Sequence, residues 1–148
     1  MTRARLLAVF IAAIAVAGIL VANRNGNSGP AVPKFVDDTT ASGVAQVYDG
    51  EFPFFVGGGV AAFDCSGDGM PDLFMAGGTR TSALYVNHST RGGALGFSRK
   101  SSSATDMESV TGAYPLEING DGITDLVVLR RGANAVLEGT GDCGFRNV

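Results

Sequence analysis

An acidic, glycine-punctuated loop occurs twice in this chain, 53 residues apart, and restricts the fold more than any other feature. The first copy is FDCSGDGMPDLFMAGG, Phe63 to Gly78, and the second is LEINGDGITDLVVLRRG, Leu116 to Gly132. With Asp64 set on Glu117, Ser66 falls on Asn119, Gly67 on Gly120, Asp68 on Asp121, Gly69 on Gly122, Asp72 on Asp125 and Leu73 on Leu126. Each copy follows a short apolar segment and runs into an apolar strand. A later aromatic also recurs, Phe97 in GFSR and Phe145 in GFRN. A period of about fifty residues marks a repeat architecture, in which each unit buries its apolar face on a neighbour.

The units read as strands. GGGVAAFD, DLFMAGG, SALYVNH and GFSRK are short runs bounded by turn residues, and AYPLEI, DLVVLRRG and NAVLEG follow in the same manner. No segment after Ala22 sustains a helical apolar face for three turns, and SSSATDMESVTG reads as a loop between units. Gly supplies 22 of 148 residues, which favours tight turns over long helices. The expected fold is all-β: an incomplete β-propeller of two four-stranded blades, preceded by an N-terminal apolar helix. The net charge of -3 and the scattered basic residues exclude a nucleic-acid footprint.

The first residues read as targeting. MTRAR carries Arg3 and Arg5, and an apolar run from Leu6 to Ala22 follows. Residues 1–22 are therefore expected to be a signal peptide or an uncleaved anchor, residues 23–34 a linker, and residues 35–148 the repeats. The arginines stay inside by the positive-inside rule, which places the repeats in an extracellular or periplasmic space, held at the membrane if the helix is retained.

Two readings compete for the loops. Asp-Gly is a common hairpin turn that needs no metal. A turn, however, needs one Asx and one Gly, whereas oxygen side chains here occupy positions one, three, five and nine, twice. Carboxylates crowded this way repel unless a cation neutralises them. A hard cation such as Ca²⁺ takes six to eight oxygens. Asp64, Ser66, Asp68 and Asp72 with the Met70 carbonyl form one candidate set, and Glu117, Asn119, Asp121 and Asp125 with the Ile123 carbonyl the other. Position twelve, Met75 or Val128, cannot supply the Glu of an EF-hand, and strands rather than helices follow.

GGGVAAFDCSGDGMPDLFMAGG resembles the FG-GAP/VCBS repeat of integrin-α-like β-propellers. FVDDTTASGV, Phe35 to Val44, is similar to the segment before the first blade in the bacterial ASPIC/UnbV and CRTAC-like group. The resemblance implies an exported propeller with calcium between the first two strands of a blade, on the residues just named. Ser66 and Glu117 depart from the usual acids. Two repeats fall short of a closed ring, so the chain is expected to be a truncated product, a fragment of a longer reading frame that supplies the missing blades from the rest of a longer chain, or a unit that completes its ring with partners. The expected role is a scaffold binding a protein or glycan; the alternative is a non-catalytic or substrate-binding part of an exported enzyme. No nucleophile motif is present, so no catalytic residue is assigned. Cys65 and Cys143 read equally as a disulfide or as unpaired side chains, and His88 reads as a turn residue within an Asn87-His88-Ser89 sequon.

Overall fold

Runs of β-branched, aromatic and alanine residues cut by glycines lay the chain out as eight short strands. In the computed structural model, which describes residues 32–148, β1 (Val60–Phe63), β2 (Asp72–Met75), β3 (Ala83–Asn87) and β4 (Phe97–Arg99) form one sheet. A second contains β5 (Val110–Leu116), β6 (Asp125–Arg130), β7 (Ala135–Gly141) and β8 (Gly144–Asn147). Each is an antiparallel meander in chain order. The all-β class and the two four-stranded units follow the expectation. One boundary differs: β5 starts at Val110, so the end of SSSATDMESVTG is strand and only its earlier part is a connecting loop. The apolar segment 1–22, where the N-terminal helix was expected, and the linker as far as residue 31 lie outside the described residues.

Cross-strand partners share a face, so the registers assign the core. Ala61 pairs with Phe74, and Phe74 with Leu84, giving one buried face of the first sheet. Leu126 pairs with Leu137 and Val128 with Ala135, giving the buried face of the second. These residues join Phe63, Met107, Val110 and Cys143 in one cluster between the sheets. Full burial of Phe74, Leu84, Leu126 and Leu137 contributes about 1.5–3 kcal/mol each.

The two sheets meet through opposite faces. Counted by the repeat, Phe63 and Phe74 correspond to Leu116 and Val127, which lie on the uncovered side of the second sheet. Leu126 and Val128 correspond to Leu73 and Met75, which lie on the outer side of the first. The contact is thus head-to-tail rather than two-fold.

Backbone bonds clamp this joint at both ends. Gly58 and Gly59 N–H donate to the Thr111 carbonyl at 3.3 and 3.1 Å, and Gly78 N–H to Val110 at 2.9 Å. At the loop end, Cys143 N–H donates to the Cys65 carbonyl at 2.8 Å, and the two cysteines form a disulfide between the repeats. Lys100 Nζ also donates to the Asp142 carbonyl. Cys143 sits in a two-residue hairpin turn with φ of 47° at Asp142 and 53° at Cys143, a conformation that side chains resist. The bridge and the Cys65 bond hold it there.

Residues 37–56 strap the first sheet. Phe97 N–H donates to Ser42 C=O, the Gln46 amide donates to Ala76 and Thr81, and Asp49 pairs with Gly78. Of the aromatic group Phe52, Phe54 and Phe55, Phe54 is buried and the other two are exposed.

The segment entering the edge strand β1 approaches the edge strand β5 too closely for a side chain at Gly59, where a Cβ would lie 2.9 Å from the Gly112 Cα. Gly59→Ala should therefore lower unfolding free energy by about 1–3 kcal/mol in urea denaturation. Gly96→Ala, with nothing within 4 Å, should stay within about 1 kcal/mol. Equal effects would mean that the close approach is not a structural requirement.

Candidate metal centre

The two acidic loops connect β1 to β2 and β5 to β6, and each begins where a strand delivers its last residue to the same edge of the molecule. The first-position acid organises the turn that follows. Asp64 accepts Gly67 N–H at 2.7 Å on Oδ1 and Gly69 N–H at 2.8 Å on Oδ2. Glu117 accepts Gly120 N–H and Gly122 N–H, both at 2.7 Å, on its two oxygens. The extra methylene of Glu117 thus does not alter the frame. All four glycines hold φ near +80°, which a side chain would resist.

The fifth position repeats as well. Asp68 Oδ1 accepts Met70 N–H and Asp121 Oδ1 accepts Ile123 N–H, each at 2.7 Å. The third positions diverge. Ser66 Oγ donates to Asp64 Oδ1 at 3.3 Å, whereas the Asn119 amide donates to Asp121 Oδ2 at 3.0 Å. These side chains are exposed or half-buried. The amides of Gly69 and Gly67 hold the Asp64 carboxyl below the ordinary carboxylate range, because each bond favours the charged form.

The ninth position behaves differently. Asp72 is fully buried: Oδ1 accepts Asn87 N–H at 2.8 Å, and Oδ2 accepts Cys65 and Ser66 N–H at 2.9 and 3.2 Å. Asp125 is buried likewise, with Oδ1 accepting Gly139 N–H at 2.8 Å and Oδ2 accepting Ile118 N–H at 2.9 Å. Each ties the start of its loop to the third strand of its own sheet. Sequence reasoning gave these residues a ligand role alone; the inward staple has no local signal beyond an Asp heading an apolar strand in both repeats.

In neither loop do the three carboxylates bring oxygens within 4.8 Å of one another; among the described residues, Cys65, Asp72 and Cys143 form the one group that does, and two of these are the disulfide. The donor set still fits a hard cation. It is all oxygen, with three carboxylates per loop, and Asp64 Oδ2, Asp68 Oδ1 and the Glu117 and Asp121 oxygens accept one hydrogen bond each and so keep lone pairs for a metal. A groove lined by Asp64, Ser66, Gly67, Gly122, Thr124 and Asp142 runs between the loops. Arg91 reaches the first loop, with Nη2 3.4 Å from where a Cβ on Gly69 would lie.

His88 is exposed after β3, as expected of a turn residue. The sequon's Asn87 is buried, and its amide donates to the Pro71 carbonyl at 2.8 Å, so it is not presented as a glycan acceptor.

No curated protein and no solved structure matches the chain at a significant level. Residues 64–128 match a family model described as an FG-GAP-like repeat. The matched stretch opens on the first-position Asp64 and takes in both acidic loops and the strands between them. Residues 64–128 are therefore similar to an FG-GAP-like repeat, the family that the loops resemble in sequence.

Proposed function

We propose that this chain is an exported, calcium-binding β-propeller module, a scaffold that presents a binding surface to a protein or glycan at the cell surface rather than an enzyme. The observation that carries the reading is the duplicated loop frame. Two different sequences, one opening with Asp and one with Glu, build the same pattern of glycine amides around a first-position carboxylate. They leave the side chains of Asp68 and Asp121 exposed beside it.

Calcium, when bound, would cancel the repulsion among three carboxylates and cross-brace the β1–β2 and β5–β6 connections. Asp64, Ser66, Asp68 and the Met70 carbonyl would hold it in the first loop, and Glu117, Asn119, Asp121 and the Ile123 carbonyl in the second. Asp72 and Asp125 would contribute from below while keeping their backbone bonds. Head-to-tail packing of four-stranded meanders supports the propeller reading, since that contact can repeat around an axis. The Cys65–Cys143 disulfide supports export, because such bonds persist in oxidising compartments. With both cysteines paired and His88 exposed in a turn, neither residue type is set up as a nucleophile or base.

Calorimetric titration of the full chain with CaCl₂ should show two sites, the first loop the tighter, because Asp64 carries less rotamer entropy than Glu117. Asp68→Ala should weaken one site, and Asp121→Ala the other, each by at least about tenfold, or about 1.4 kcal/mol. Calcium binding untouched by both changes would reduce the loops to plain turns. For export, alkaline phosphatase fused after Gly29 should be active in bacterial cells; an inactive, cytoplasmic reporter would overturn the assignment.

A further inference from the structure

The packing between the two sheets also specifies a partner for the faces it leaves open. Sheet one covers sheet two with Phe63, Phe74 and Leu84. Their counterparts in sheet two, by repeat and by register, are Leu116, Val127 and Val136. The first set is buried; in the second Leu116 is 49% exposed, the neighbouring Tyr114 is 59% exposed, and the two valines are half-buried. Conversely, the fully buried Leu126 and Val128 correspond to Leu73 and Met75, which are only half-buried on the outer side of sheet one. The strap covers the β3 side of that face and leaves the β1–β2 side open, with Val60 and Ala62 exposed. The molecule thus carries both halves of its own internal interface, one on each outer side. At the joint, Gly59 meets Gly112, its own repeat counterpart, so an added sheet would meet a glycine again.

We propose that the Tyr114–Leu116 face of one chain docks on the Leu73–Met75 face of a second copy, reproducing the internal contact head-to-tail. The inference rests on reading the two sheets as consecutive blades. The occupant is a copy of this chain because the open faces match each other position by position, as the continuation of an interface already formed within the molecule.

The internal disulfide locates a test. Cys65 corresponds to Ile118 and, counting back from the matched aromatics, Cys143 corresponds to Leu95; these two are 51% and 50% exposed. Full-length Ile118→Cys and Leu95→Cys chains, carrying different tags, are mixed under mild oxidation in detergent. A disulfide-linked mixed dimer mapped to those two positions is expected. Its yield should exceed that of Ile118→Cys mixed with Ala133→Cys by at least about tenfold, and adding Leu116→Asp should abolish the excess. Charging an exposed side chain leaves the fold in place, which calcium titration of the same variant checks. A yield no higher than the Ala133 control, or one insensitive to Leu116→Asp, would overturn the proposal. With calcium binding retained, that failure would leave the reading as a calcium-binding module standing.

Discussion

A carboxylate buried without a cationic partner is costly, and each repeat is built around one. Asp72 and Asp125 sit in the interior, and backbone N–H groups alone satisfy both oxygens. Hydrogen bonds to a charged group contribute about 1.5–3 kcal/mol each, which offsets the desolvation that burial imposes. The geometry follows from this constraint. The loop must fold back over the aspartate to present the amides of Cys65 and Ser66, or of Ile118. The third strand must run alongside to present Asn87 or Gly139. Loop, second strand and third strand are thereby fixed relative to one another before any ion enters.

That arrangement divides the acidic motif by role. Position nine faces inward and holds the sheet. Position one organises the glycine turn, and positions three and five remain at the surface. The acid at position five also bonds the amide two residues on in both loops, and the cation reading rests on the exposed half of the motif. The joint between repeats depends on the same loops. Cys65, which donates its N–H to Asp72, also carries the disulfide and the carbonyl that accept Cys143 of the other repeat. The inter-repeat clamp is therefore anchored on the residue that the buried aspartate positions.

Much of the fold was legible because its signals are periodic. The 53-residue repeat, the turn glycines and the short apolar runs located seven of the eight strands, and the recurring Phe145 marked the eighth. The start of β5 was not legible, since Val110-Thr111-Gly112 joins its strand through an irregular register that no local pattern announces. The disulfide was open in the sequence, because pairing depends on the sheets meeting through opposite faces, a three-dimensional fact. In the loops, residue types and positions were readable, whereas direction was not. An Asp at position nine looks like every other acid in the motif until the strand carrying it is buried on the side its Cβ faces.

The central claim is that the ninth-position aspartates hold each repeat by themselves, without a cation. Amide hydrogen exchange on the full chain, with and without EDTA, tests it most directly. The account predicts that the Asn87 and Gly139 amides stay protected in EDTA. In Asp72→Asn, one amide among Cys65, Ser66 and Asn87 should exchange at least about tenfold faster, while Ile118 and Gly139 keep their protection. Free exchange of Asn87 and Gly139 in EDTA, restored by calcium, would contradict it and make the ion the organiser of the fold.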